Sequence, residues 1–389
     1  MDYISPIQSL YVHVSLLFLF EQASHYIDMV NFEEAWEILG EILGELDIDK
    51  NNLLLIDISY LKGKYYEGLG KWNESIEHYQ KTIKLVDCHP EKNCTNLKAA
   101  SFNGLGRIHH RLNNLDQALF FVEEGLKYFV HDGNRSYIEH NLYINKVIYL
   151  EKLNRDDEAL ALIEKIWSKI LHIVSSETVL NLYQMRAHLC NKLELFEQAI
   201  CYAFEGIEMA RINRMYDRSF ELWATLADIY SKKGYFRNAE ICFKSSLGLK
   251  HKIRNKYLLA PIYTSLGLLY LETEKVELSQ SAIEEAISLS IQSKNDFYIL
   301  DSKVAMGDLL VKKKSNLKAN KFYTEALKIA EKYNLLEQQS KILMKMAKSY
   351  EDLNVDKYKK CVDQYFQVAI QLEVKQNIKR KQTTFPPRD

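Results

Sequence analysis

Apolar and polar positions follow one another with the period of a helix, most clearly over Trp223–Ser246, WATLADIYSKKGYFRNAEICFKSS. Trp223, Leu226, Ala227 and Tyr230 recur at spacings of three and four, which puts them on one face of a first helix. Ala239, Phe243 and Ser246 do the same for a second helix. Gly234 stands where the first helix must end and the chain must turn. The small residues Ala227 and Ala239 let the two helices approach closely, while Trp223, Leu226, Tyr230 and Phe243 fill the space around that contact. The stretch predicts a helical hairpin.

The pattern then repeats. The small residue of the second helix falls at Ala35, Ser75, Ala118, Ala159, Ala199, Ala239, Ser279 and Ala319, at intervals of 40, 43, 41, 40, 40, 40 and 40. Twelve residues before each lies its partner on the first helix: Ala23, Gly63, Gly106, Val147, Ala187, Ala227, Gly267 and Gly307. Only Val147 is not small. A ninth, looser copy has Ala347 and Tyr350 on its first helix and Phe366 and Ala369 on its second, with about three extra residues supplied by a turn over Asn354–Lys360. The spacing W-x2-L-[GA]-x2-Y…A-x3-F is that of the tetratricopeptide repeat (TPR). The expected fold is all-α: a right-handed α–α superhelix of nine repeats over residues 15–372. A lead-in at 1–14 precedes it and a basic, disordered tail at 373–389 follows. The minimal unit is about 34 residues, so a steady 40 requires longer helices or fuller loops.

Composition removes other classes. The net charge of −1 argues against a nucleic-acid face over the whole chain. The apolar run Leu10–Phe20 is half the roughly 20 residues a membrane span needs, and reads as a buried first helix. No basic segment precedes it and no small-residue cleavage site follows. The six cysteines are scattered, with Cys190, Cys201, Cys242 and Cys361 at helical positions that suit a small apolar residue, which points to a reduced, cytoplasmic setting. Cys88, His89 and Cys94 share a polar loop, but their spacing is not that of a structural metal site. Gly104 and Gly106 begin a dinucleotide-like motif that His109 breaks, and no nucleophile or phosphate-loop motif occurs elsewhere. No enzyme, cofactor or metal is expected.

Function must then lie on a surface. In stacked hairpins the first helices line an inner face, and the residues three before, one after and four or five after the small position point to it. That register nominates Asn103, Arg107, His110, Asn141, Asn145, Asn181, Gln184, His188 and Asp228. Amide side chains offer a donor and an acceptor, which matches the backbone of an extended peptide. Arg107 suits a carboxylate and Asp228 an amine. Repeats seven and eight turn apolar there, with Thr264, Leu268, Leu271, Val304 and Val311, which suits aliphatic side chains. The opposing reading is a face that is polar because it is wet, on a scaffold that holds proteins without sensing anything. A co-chaperone carboxylate clamp fits less well, because Ile144 stands where a further basic or amide residue is wanted.

The ninefold 40-residue spacing with asparagine-lined first helices resembles the peptide-pheromone receptors of Gram-positive bacteria, the RRNPP family. Length and repeat number are most similar to its NprR-like branch. The resemblance covers residues 15–372. It implies a cytoplasmic receptor for a short signalling peptide held extended on the inner face. It also implies a change of homo-oligomer, dimer or tetramer, and an output in transcription or sporulation signalling, with a response regulator as a further partner. Asn103, Arg107, Asn145, Asn181, Gln184 and Asp228 match such roles by their place on first helices. DNA contact would need a helix-turn-helix domain, and nothing before Ser15 reads as one. The three-helix bundle of the Rap phosphatases is not legible either, and no membrane partner is implied.

Overall fold

The computed structural model describes residues 4–29, 31–45, 53–168, 176–254, 256–351 and 353–384, with side chains from Val14 to Val374 apart from Leu17. Every regular element among them is helical. Two compact units divide the chain, Met1–Leu182 and Tyr183–Asp389. The first holds α1 (Ile4–Asp28), α2 (Phe32–Glu45), α3 (Leu54–Gly68), α4 (Trp72–Cys88), α5 (Leu97–Arg111), α6 (Leu115–Lys127), α7 (Tyr137–Lys152) and α8 (Asp156–Trp167). The unit boundary falls within α9 (Ser176–Lys192). The second unit continues with α10 (Phe196–Ile212), α11 (Tyr216–Lys232), α12 (Phe236–Gly248), α13 (Leu259–Glu272) and α14 (Val276–Gln292). It closes with α15 (Asp296–Lys312), α16 (Asn316–Lys332), α17 (Leu336–Tyr350) and α18 (Val355–Thr384). Odd-numbered helices are the first helices of the expected hairpins and even-numbered ones the second.

The hairpins close where the small residues meet. Ala35, Ser75, Ala118, Ala159, Ala199, Ala239, Ser279 and Ala319 are all fully buried. Four residues further on, the second helix drives a side chain into the first: Leu39, Tyr79, Val122, Ile163, Ala203, Phe243, Ile283 and Tyr323, each at most 1 % exposed. Where that side chain is a tyrosine, the facing residue has no Cβ. One added to Gly63 would stand 2.7 Å from the Tyr79 ring, and Gly307 faces Tyr323 in the same way. Two repeats add a polar lock, because the small residue is serine. Ser75 donates to the Gly63 carbonyl at 2.7 Å and Ser279 to the Gly267 carbonyl at 2.8 Å.

The turns within hairpins are three residues long in repeats six to eight, between Lys232 and Phe236, Glu272 and Val276, and Lys312 and Asn316. Their middle residue takes the left-handed conformation: Gly234 at φ +81°, Glu274 at +60° and Lys314 at +58°. With turns this short, the extra length over the minimal repeat lies in the helices. α10, α11, α14, α15 and α16 have 17 residues each.

Four expectations change. The lead-in at 1–14 is helical from Ile4, because α1 starts there; Leu16 and Phe20 are buried, whereas Phe18 is 69 % exposed. The turn of the ninth hairpin is only one residue longer than those of repeats six to eight, and it precedes the expected stretch: α17 ends at Tyr350 and α18 starts at Val355, so Asn354–Lys360 is almost wholly helix. It packs through Cys361, Tyr365 and Val368, and Phe366, expected in the core, is 59 % exposed. The stretch 373–384 continues α18 instead of forming a disordered tail, and 385–389 lie outside the described residues. Cys190, Cys242 and Cys361 are buried as expected, but Cys201 is exposed, with its thiol 3.3 Å from Glu205. No described helix is long and apolar enough to cross a membrane.

Candidate functional site

Successive first helices touch one another, α1 to α3, α3 to α5 and α5 to α7 in the first unit, and α11 to α13 and α13 to α15 in the second. Each unit therefore has an inner face built from first helices alone. Positions on that face sort into two rows. Residues one after the small position stand at the surface: Lys64, Arg107 and Ile148 are half-buried, and His188, Asp228 and Leu268 are exposed. Residues three before it mostly sink into the seam between neighbouring first helices, with Asn103 at 2 %, Ile144 at 7 %, Ala224 at 7 % and Thr264 at 7 % exposure. Sequence spacing could not separate the rows, because both lie on one side of an isolated helix.

In the first unit Asn103, Arg107, His110 and Asn145 are engaged with other side chains of the same unit. Asn145 donates to the Asn103 side-chain oxygen at 2.7 Å, bridging α5 and α7. Arg107 forms two parallel bonds to Glu67 on α3, Nε to Oε1 and Nη2 to Oε2, both at 2.7 Å. The Tyr79 hydroxyl donates to the same carboxylate at 2.7 Å. Burial pushes the Glu67 carboxyl up, but the Arg107 charge and the bonds from Arg107 and Tyr79 outweigh it and hold the carboxyl below its usual range. The carboxylate foreseen for Arg107 is thus supplied from within the chain. His110 lies 5.1 Å from the Tyr149 ring. Burial first, then Lys152 and Arg111, push its imidazole down to about 4, so it is neutral at pH 7. Asn141 is half-buried on α7, and Asn181 half-buried at the end of this unit on α9.

The second unit is more open. Gln184 is half-buried and His188 exposed on α9, and Asp228 is exposed on α11. Asp228 meets solvent on one side, yet the surrounding protein strips enough hydration to push its carboxyl up to about 6, against the pull of His188. Farther along, α13, α15 and α17 leave a recess of about 330 Å³ between them. Leu268 and Val304 are its accessible apolar lining, with the buried Ile342 behind them, and Thr264, Tyr298, Asp301, Gln338 and Lys341 are among its polar lining. Asp308, at one end, accepts from Lys345 Nζ through both oxygens at 2.7 Å and from the Tyr323 hydroxyl at 2.7 Å. Of these, Leu268 and Val304 were legible as an apolar stretch. Lys341, Lys345 and Gln338 were not, because the inner-face positions were read only as far as repeat eight and these three lie on the first helix of repeat nine.

The tetratricopeptide-repeat family model matches residues 220–252 and 260–290, which lie on α11–α14. Comparison with curated protein sequences gives no match. Among solved structures, the chain is similar to a Rap protein complexed with competence and sporulation factor, at 15 % identity and a TM-score of 0.65 over 92 % of this chain and 99 % of that one. It is also similar to NprR in complex with its cognate peptide NprX, at 14 % identity and a TM-score of 0.58 over 92 % and 99 % of the two chains. Aspartyl phosphate phosphatase F from Bacillus subtilis matches at 13 % identity and a TM-score of 0.54 over 91 % and 93 %. Identities this low establish a shared TPR-containing helical fold.

Proposed function

We propose that this protein is a cytoplasmic receptor for a short signalling peptide, bound on the inner helical face and read out through protein contacts in transcription or sporulation signalling. The observation that carries the reading is the recess at α13, α15 and α17. Solenoid packing closes against apolar side chains wherever it can, and an open cleft with an apolar floor and a polar rim is the usual form of a ligand site. Support comes from fold similarity to two proteins solved with a peptide or a signalling factor. Gln184, an amide on the inner face of the same unit as the recess, suits a peptide backbone. Repeats that contact only their neighbours behave as a spring, so a peptide lying across several first helices favours one pitch and thereby one homo-oligomer. Switching requires that preference to reach about 10²–10⁴ in affinity.

The test is calorimetric titration of the full chain with a library of hepta- and octapeptides, with light scattering alongside. A peptide that binds at micromolar concentration or tighter, and fails to bind Val304→Lys, supports the receptor. If no library peptide binds, or Val304→Lys leaves binding intact, the receptor reading at this recess fails and the non-sensing scaffold takes its place.

A further inference from the structure

The recess is ordered in three tiers. α15 and α17 are in register where Lys345 grips Asp308. Stepping back along the helices by four and then three residues gives tiers about 4.5–6 Å apart. By that spacing Asp308 goes with Lys345, Val304 with Lys341 and Asp301 with Gln338, and Leu268, Thr264 and Pro261 follow the same steps of four and three along α13. Thr264 is turned back on its own helix, donating to the Ala260 carbonyl at 3.0 Å. The middle tier therefore presents an apolar floor, Val304, beside one cation, Lys341.

The two lysines differ. Lys345 spends its charge on Asp308, as the bonds above show. Lys341 is exposed and forms no hydrogen bond or ion pair among the described residues. Asp301, one tier away, has contacts of its own and sets a negative charge against any second acidic group. The volume lies at the low end of the roughly 300–1,000 Å³ spanned by small-molecule sites, which is room for one or two residues and not for a whole peptide.

We infer that this recess seats an aliphatic residue bearing a free carboxylate, the C-terminal residue of a peptide, with its side chain on Leu268 and Val304 and its carboxylate on Lys341. This rests on the receptor reading and deepens it by assigning the end of the peptide that enters here. An ammonium–carboxylate bond on a wet rim contributes about 1 kcal/mol, close to a fivefold change in affinity.

The experiment uses the full chain labelled at its leucine, isoleucine and valine methyls. It is titrated with N-acetyl-leucine, N-acetyl-leucinamide and hexanoate at millimolar concentrations. The acid is expected to move the Leu268, Val304 and Ile342 methyl resonances and to bind about fivefold more tightly than the amide. Lys341→Met, an exposed change that leaves the core untouched, is expected to abolish that difference while leaving amide binding as it was. Equal affinity of acid and amide overturns the inference, and so does an acid preference that survives Lys341→Met. Hexanoate binding as tightly as N-acetyl-leucine overturns the assignment to a peptide terminus in favour of a simple fatty acid. Should the carboxylate preference fail while a library peptide still binds and Val304→Lys blocks it, the receptor stands without this seat. Should no library peptide bind, the receptor falls, and the N-acetyl-leucine titration still reports on the recess.

Discussion

Replacing Arg107 by alanine strips the cation from a carboxylate that has little water to turn to. The Glu67 side chain is only 11 % exposed and would keep the Tyr79 hydroxyl as its remaining partner. Breaking a buried ion pair from one side costs about 3–5 kcal/mol. Arg107 is 36 % exposed, so solvent reaches one side of the pair, and we expect a loss nearer 2–3 kcal/mol. Glu67→Gln in the same chain removes the stranded charge and should recover most of that loss, which a double-mutant cycle reads as coupling. The sign with pH follows from the lowered carboxyl of Glu67. Its contribution is complete above the ordinary carboxylate range and fades as pH falls through the depressed native value, and Arg107→Ala should lack that dependence. Repeat arrays need not unfold in one step, so urea denaturation is best followed both by circular dichroism and by amide exchange in α3 and α5. An Arg107→Ala chain within 0.5 kcal/mol of its parent, or no recovery on adding Glu67→Gln, would falsify the claim that Arg107 serves Glu67. The same result would return Arg107 to the list of residues free to meet a ligand.

Two further outcomes are expected. Gly63→Ala sets a methyl 2.7 and 2.8 Å from two carbons of the fully buried Tyr79 ring, so an overpacking cost of about 1–3 kcal/mol outweighs the gain of about 1 kcal/mol in helix propensity. Gly40→Ala meets nothing within 4 Å and keeps only the gain, so thermal midpoints should move in opposite directions, and a shift of the same sign in both contradicts the account. Carbon-13 NMR should show Asp228 titrating near 6, and His188→Ala should raise that midpoint because the pull of His188 lowers it. A midpoint in the usual aspartate range would mean that the protein around α11 does not desolvate the carboxyl.

Most of the architecture was legible because it rests on volume. Ala227 against Ala239, or Gly63 against Ser75, leaves room for only one close crossing of two helices, and that constraint repeats every 40 residues. The ninth repeat was misread because Phe366 and Ala369 imitate the spacing of a core pair. The packed set is Cys361, Tyr365 and Val368, one residue out of step, and only the position of the turn reveals which set faces inward. The inner face was legible as a row of positions but not as a set of bonds. Asn103 and Asn145, or Arg107 and Glu67, sit 42 and 40 residues apart, and helical periodicity carries no information about which polar groups satisfy each other across a seam. Lys341 stood out no more than any surface lysine until the fold placed it on the recess that Val304 also lines.

The bonds between successive first helices in the first unit give its two sides different mechanics. Toward the inner face the rungs are polar: Lys64 to Ser24 and Asp28, Arg107 to Glu67, and Asn145 to Asn103. Within the hairpins the contacts are apolar and close-packed, and hardly compressible. Salt weakens the charged rungs and leaves the apolar contacts in place, with screening lengths falling to about 10 Å at 0.1 M. Ionic strength is therefore a lever on the curvature of this unit, softening one side of a beam whose other side stays stiff. A ligand carboxylate that competed with Glu67 for Arg107 would pull on that same side.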